Sequence, residues 1–242
     1  MGLRDLFRPR ARVAGPPASS NGASSMHVHW DCPRGTTAVA ATLEVVSPPA
    51  VASLYFWALQ ASFTGPGGRH EGAGHIGLQW YAAHPGSTAV NWGGYAADGA
   101  ELDGSASTLA SATANPNTRD FPWTPAHAYR LRISAAGPGR WRGDVTDLDT
   151  GTVTHVRDLF CGGDHLASPC VWSEVFADCD APPSAVRWSD LDPAPPKVRV
   201  TYQSHADGGC DNTTVRLDGP GALVQVTNVA RELPHGALLP LR

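Results

Sequence analysis

The sequence predicts an all-β fold, a two-sheet antiparallel sandwich of the jelly-roll or concanavalin-like type. Its 26 glycines and 21 prolines are spread over all 242 residues and divide the chain into short segments, as in sandwiches and barrels. Several segments alternate apolar and polar residues, and residues 37–45 do so most clearly. No amphipathic helix of three turns and no internal repeat is visible. About twelve strands result, which is enough for two packed sheets.

The predicted elements follow in chain order. Residues 1–25 predict a disordered basic tail, because their composition cannot bury enough apolar surface to balance the entropy of ordering. Residues 26–242 predict one sandwich domain, with a core at 40–190 and C-terminal strands at 196–230. Predicted strands cover residues 27–30, 37–45, 54–60, 75–81, 89–92, 129–133, 141–145, 153–155, 171–176, 186–188, 198–202, 215–217 and 224–226. Residues 98–127 predict a long loop or short strands across an open end.

Composition and charge exclude two classes of partner. The formal charge of -4 leaves no basic stripe in the body of the chain, so nucleic acid is not an expected partner. No stretch approaches the roughly 18 to 20 apolar residues of a membrane span, so no membrane insertion is expected. The N-terminal residues lack the apolar run of a secretory signal, which predicts a cytoplasmic protein. Nothing in the sequence specifies an oligomeric state.

The five cysteines have an odd count and no preceding signal peptide, which favours free thiols. The alternative is a pair of loop staples, Cys161 with Cys170 and Cys179 with Cys210, which leaves Cys32 over.

Glu174 lies inside the apolar run of residues 171–176, which is predicted to be a strand. A carboxylate in such a place needs partners, because an unpaired buried charge is costly. It is therefore either a structural carboxylate that ties strands or loops together, or a functional group in a polar cleft.

A candidate ligand site follows from strand alternation. Trp80, Trp92 and Trp188 fall on the apolar sides of their strands and are predicted core residues. The opposite sides carry amides, rings and a carboxylate, a mixture of donors and acceptors that suits a polyhydroxylated ligand. The predicted ligand-binding residues are Gln79, Tyr81, Asn91, Trp172 and Glu174.

A series of short motifs resembles the bacterial domain-of-unknown-function family 3472 over residues of about 40–190. The motifs are Tyr55-Phe56-Trp57, Gly77-Leu78-Gln79, Asn91-Trp92, Tyr129-Arg130-Leu131-Arg132-Ile133, Trp141, Trp172-Ser173-Glu174-Val175-Phe176 and Arg187-Trp188. The resemblance implies a lectin-like β-sandwich, usually in exported proteins, with carbohydrate binding as the expected function. This chain departs from that pattern because no export signal is visible.

Three functions are therefore expected in order of preference. The first is a carbohydrate-binding domain of unknown ligand. The second is an enzyme acting on a glycan or a small polycyclic metabolite in the same cleft, with Glu174 as general acid or base and Asp178 or Asp180 as the nearest second carboxylate. The third is a cytoplasmic interaction or scaffold protein that meets its partner through a sandwich edge and the arginine tail.

No cofactor is predicted, although the sequence offers candidate ligands for two structural metals, zinc and calcium. Zinc would use His27, His29 and Cys32, or Cys161, His165 and Cys170, but the usual ligand spacings are absent. Calcium would use Asp144, Asp147 and Asp149, for which ordinary aspartate turns are the simpler interpretation.

Overall fold

The computed structural model describes residues 13–19, 21–203, 210 and 213–241. It contains two antiparallel sheets, which confirms the predicted two-sheet β-sandwich class. The strands are β1 Ser24–His29, β2 Ala38–Ser47, β3 Tyr55–Thr64, β4 His70–Trp80, β5 Thr88–Ala96, β6 Thr118–Asp120, β7 Ala128–Ala135, β8 Arg140–Asp147, β9 Val153–Phe160, β10 His165–Val175, β11 Ser184–Asp192, β12 Lys197–Tyr202, β13 Thr213–Leu217, β14 Leu223–Thr227 and β15 Leu238–Pro240.

The two sheets combine strands from distant parts of the chain. One has eight strands in the order β15-β12-β1-β10-β3-β4-β5-β6, and the other has seven in the order β13-β14-β11-β2-β7-β8-β9. The last four strands are divided between both sheets, so the C-terminal segment belongs to the same sandwich. The two strands without a predicted range, β6 and β15, have three residues each, too few to show an alternation.

The core lies between the inner faces of the sheets. Trp57, Trp92, Trp141 and Trp188 are all fully buried there, which agrees with the predicted burial of Trp92 and Trp188, while Trp80 is partly buried against the same core. Gly143 makes room for one of these rings, since a Cβ at this position would lie 2.6 Å from the Trp92 ring. Aromatic burial on this scale supplies much of the hydrophobic stabilisation of the sandwich.

The connection between β5 and β6 closes one side of the sandwich. Backbone bridges join Tyr95 to Glu101 in the eight-stranded sheet and Gly104 to Leu159 of β9 in the seven-stranded sheet. The predicted long loop with short strands is therefore ordered by backbone pairing to both sheets. Covering two sheet edges in this way protects them from pairing with other chains.

The chain before β1 differs from the predicted tail. Residues 1–12 lie outside the described residues, but Gly15 accepts a backbone hydrogen bond from Cys179 at 2.7 Å and donates to Asp180 Oδ1 at 3.1 Å. The segment is held by backbone and polar hydrogen bonds. The prediction of a tail considered only the apolar surface that the segment could bury, and such bonds do not depend on it.

A disulfide joins Cys179, after β10, to Cys210, before β13, with an S–S distance of 1.98 Å. The prediction of free thiols was wrong for this pair. The other suggested staple, Cys161 with Cys170, is absent, because Cys32, Cys161 and Cys170 are free. The Cys161 thiol instead donates to the Glu71 carbonyl at 3.5 Å.

Among the described residues, no helix has the length and apolar character needed to cross a membrane.

Candidate functional site

The outer face of the eight-stranded sheet carries the side chains that the core does not use. Residues paired directly across antiparallel strands point to the same side, so the strand register defines rows of neighbours on this face. The central row is Thr201, His27, Trp172, Ala58, Gly77, Asn91 and Thr118. The rows on either side are Ser25, Glu174, Phe56, Gln79, Ala89 and Asp120, and Arg199, His29, Cys170, Gln60, His75 and Gly93.

Trp172 lies at the centre of a group of rings on this face, which we call the ring cluster: Trp172, Phe56, His27 and His75. The ring centroid of Trp172 is 4.8 Å from that of Phe56, 5.6 Å from that of His75 and 6.2 Å from that of His27. The indole Nε1 donates to Gln60 Oε1 at 3.1 Å. Trp172 is only 4% exposed although no third layer of strands covers it in the part of the chain that the structure describes. The rings therefore shield one another in a recessed part of the face.

The two histidines of the ring cluster are held neutral near pH 7. Burial lowers the pKa of His75 to about 4. Burial, with a smaller contribution from His29, lowers the pKa of His27 to about 4. A neutral imidazole offers one donor and one acceptor, so each ring can exchange hydrogen bonds with a hydroxyl group.

Two asparagines, Asn91 and Asn117, form a second group on the same face, which we call the amide pair. Asn91 is 7% exposed and donates through Nδ2 to Thr118 Oγ1 at 2.9 Å. Asn117 is 3% exposed and donates through Nδ2 to Glu101, and its side chain packs over Gly93, where a Cβ would lie 2.8 Å from Nδ2. Within the described residues, the Oδ1 atoms of both asparagines are buried without a hydrogen-bond partner. Such acceptors gain free energy from any donor that reaches them.

Gln79 and Tyr81 mark the end of the outer face. Gln79 is buried, and its Oε1 accepts a hydrogen bond from His84 Nε2 at 3.0 Å. Tyr81 follows the end of β4, is 37% exposed and lines a recess of ≈ 540 Å³ together with Leu54 and Phe176. Tyr81 is therefore a rim residue rather than part of the sheet face.

Glu174 lies one row away from Trp172 and is half-buried. Its Oε1 accepts hydrogen bonds from Asn21 Nδ2 at 3.1 Å and from Ser25 Oγ at 3.4 Å. Burial raises the pKa of Glu174, and the hydrogen bonds from Ser25 and Asn21 partly oppose that rise. No arginine of the described chain neutralises the carboxyl group. The contacts join β10 to β1 and to the segment before it, as a structural carboxylate would.

Four of the five predicted residues thus point to one face, and Tyr81 lies at its end. They are spread out: Phe56 separates Glu174 from Gln79, and two strands separate Trp172 from Asn91. At about 4.8 Å between strands, the latter pair is roughly 14 Å apart along the sheet. A ligand contacting both would be extended, and binding by these residues stays a prediction.

The sequence prediction did not include several residues of the outer face. Phe56 and Gln60 share the parity of Ala58 on β3, and His75 shares the parity of Gln79 on β4, so alternation could have found them. No sequence signal could have found Asn117, because its position depends on how the β5–β6 connection folds back over Gly93.

The structure pairs the potential metal ligands with other groups. Asp147 Oδ1 accepts from the backbone N–H groups of Asp149 and Thr150 at 2.9 and 3.1 Å, an ordinary aspartate turn. His165 Nδ1 lies 2.5 Å from Asp164 Oδ1. Within the described ranges, no group of three or more histidine, cysteine, aspartate or glutamate side chains could hold a metal ion.

Comparison with known proteins identifies solved structures of the same fold class but no close relative. No family model matches the chain, and no curated protein matches it. The resemblance to family 3472 therefore stays a prediction. Scytalido-glutamic peptidase with a peptide-based transition state analog is 12% identical, with 84% of this chain and 97% of that chain covered and a TM-score of 0.45.

Two further structures have the same kind of likeness. SCP-B, a member of the Eqolisin family of peptidases in complex with the tripeptide Ala-Ile-His, is 11% identical over 84% of this chain and 96% of that chain, with a TM-score of 0.41. A mutant of alginate lyase Aly36B in complex with alginate tetrasaccharide is 9% identical over 66% of this chain and 82% of that chain, with a TM-score of 0.27. The likeness extends no further than the fold class, which the strand pairing establishes independently.

Proposed function

We propose that the outer face of the eight-stranded sheet binds a carbohydrate, specifically an extended oligosaccharide that spans the ring cluster and the amide pair. The observation that carries this proposal is the pair of buried Oδ1 acceptors on Asn91 and Asn117, which share a face with the rings around Trp172.

The chemistry of the two groups is complementary to that of a sugar. The C–H-rich side of a pyranose ring packs on aromatic rings, while its hydroxyl groups both donate and accept hydrogen bonds. Hydroxyl donors would satisfy Asn91 and Asn117, and the small residues Ala58 and Gly77 separate these acceptors from Trp172. Gln60 and the neutral His75 lie in the next row and can exchange hydrogen bonds with further hydroxyl groups.

An enzyme in the same cleft is the second candidate, favoured by the raised pKa of Glu174. A protonated carboxyl group can act as a general acid. Glycoside hydrolysis normally uses two carboxylates that flank the scissile bond. Asp178 and Asp180 lie beyond the end of β10, and Asp180 accepts a hydrogen bond from Gly15. The geometry therefore supports binding better than hydrolysis.

Titration calorimetry with a panel of neutral and acidic oligosaccharides tests the proposal. We expect at least one to bind and Asn91→Ala to weaken that binding about tenfold, the value of one lost hydrogen bond of about 1.4 kcal/mol. Arg132→Ala is the matched control, because Arg132 is exposed on the outer face of the seven-stranded sheet. Its affinity should equal that of the unmodified protein.

Two outcomes would overturn the binding proposal. The first is that no oligosaccharide of the panel binds the folded protein, and the second is that Asn91→Ala and Arg132→Ala bind with equal affinity. Appearance of shortened oligosaccharides, lost in Glu174→Gln, would establish the enzyme instead.

A further inference from the structure

We propose that the β12 end of the outer face is an anionic subsite, so that the oligosaccharide bound there carries carboxylate groups, as uronic acids do. This inference rests on the proposed function and names the class of sugar that the face would select.

The subsite continues the outer face without a break. Arg199 on β12 is paired with His29 on β1, which is paired with Cys170 on β10, in the row that leads to Gln60 and His75. A recess of ≈ 440 Å³ opens at this end, and its lining includes Lys197, Arg199, His29, Thr201, Trp30 and Asp31. A ligand lying on Trp172 and extending along β1 and β12 would reach it.

The cations of this recess have no carboxylate partner in the part of the chain that the structure describes. Lys197 and Arg199 are exposed, and neither forms an ion pair with any of the described residues. Two other surface arginines do have carboxylate partners, Arg187 with Asp218 at 2.7 Å and Arg216 with Glu232. Burial, with the nearby Arg199 and His235, lowers the pKa of His29, so His29 adds no positive charge near pH 7. Asp31 contributes one negative charge against the two cations, which leaves the recess net positive.

The two cations of the recess, Lys197 and Arg199, are hydrogen-bond donors. An ammonium group and a guanidinium group can only donate, whereas an ionised carboxylate only accepts. Arginine binds a carboxylate through two parallel hydrogen bonds, which a neutral hydroxyl group cannot match. The donors of Lys197 and Arg199 are therefore complementary to a carboxylate.

The test compares each oligouronate of the panel with its carboxyl-reduced, neutral counterpart by titration calorimetry at low ionic strength. We expect the unmodified protein to bind an oligouronate at least tenfold more tightly than the neutral counterpart. The double variant Lys197→Gln/Arg199→Gln should lose that preference and keep its affinity for the neutral sugar within about twofold. Arg132→Gln, on the opposite outer face, is the control and should keep the preference.

The outcomes separate this inference from the proposed function. Equal affinity for both members of each pair overturns the anionic subsite and leaves oligosaccharide binding intact. Failure of both members to bind overturns the proposed function itself. Loss of neutral-sugar binding by a double variant that is folded by circular dichroism also overturns the subsite, since the cations would then act in general binding.

Discussion

Glu174 joins three parts of the chain through one carboxylate oxygen. Oε1 accepts from Asn21, in the segment before β1, and from Ser25 on β1, while the residue itself belongs to β10. Its two predicted roles are compatible in this geometry, because Oε2 has no hydrogen-bond partner among the described residues. The tie to Asn21 is structural, and the second oxygen can face a ligand.

The buried histidines predict an acid-dependent loss of stability. The pKa of His75 is about 4 in the folded protein against 6.5 for the free side chain, so the unfolded chain binds more protons between these values. Stability should therefore fall as the pH is lowered from 6.5 to 4, by up to about 3 kcal/mol for this residue. Urea unfolding at pH 7, 5 and 4 measures it, and His75→Gln should lose less stability than the unmodified protein.

His70→Gln is the control for this measurement, because His70 is exposed at the start of the same strand. It should lose as much stability on acidification as the unmodified protein. If His75→Gln behaved in the same way as His70→Gln, the burial of His75 would not be linked to folding.

Strands β3 and β4 approach closely beneath the site because Gly77 has no side chain. A Cβ at Gly77 would lie 2.0 Å from the backbone oxygen of Trp57 and 2.6 Å from the Cα of Ala58. These neighbours are backbone atoms of the adjacent strand and cannot rotate away. The same glycine lies between Trp172 and Asn91 in the central row. Its missing side chain therefore both allows the close approach of the strands and leaves space between these two residues on the outer face.

Gly77→Ala is accordingly expected to destabilise the protein by about 3 kcal/mol, the upper range for overpacking. Gly162→Ala is the matched control, since its Cβ would meet only the end of the Glu71 side chain at 3.3 Å. That substitution should cost no more than about 0.5 kcal/mol, as surface changes do. Urea denaturation measures both, and comparable losses would show that β3 and β4 can separate at little cost.

At the scale of the whole molecule, a disulfide joins two of the loops that connect one sheet to the other. The Cys179–Cys210 disulfide spans 31 residues of sequence and ties the segment after β10, in the eight-stranded sheet, to β13, in the seven-stranded sheet. Disulfides persist mainly in oxidising compartments. We therefore propose such a compartment rather than the cytoplasm that the N-terminal residues predicted.

Reduction should destabilise the protein by about 4 kcal/mol, because a loop of this length regains much entropy in the unfolded chain. Urea unfolding with and without reductant measures the change, and Cys179→Ala/Cys210→Ala is the control in which reductant should have no effect. Alkylation of the denatured protein from its own cells should label three thiols, Cys32, Cys161 and Cys170. Labelling of all five would contradict both the link and the compartment.

The sequence by itself determined the fold class and the parity of each strand. Alternation is a local property with a period of two residues. Each segment alone therefore showed that Trp172 and Glu174 share a face, and that Gln79 lies on the face opposite the buried Leu78. Tertiary structure alone decided which strands are neighbours. It placed β1 between β10 and β12, brought His27 to Trp172 and Arg199 to His29, and joined Cys179 to Cys210. Strand order depends on the packing of two whole sheets, to which segments far apart in the chain contribute, and no short segment carries that information.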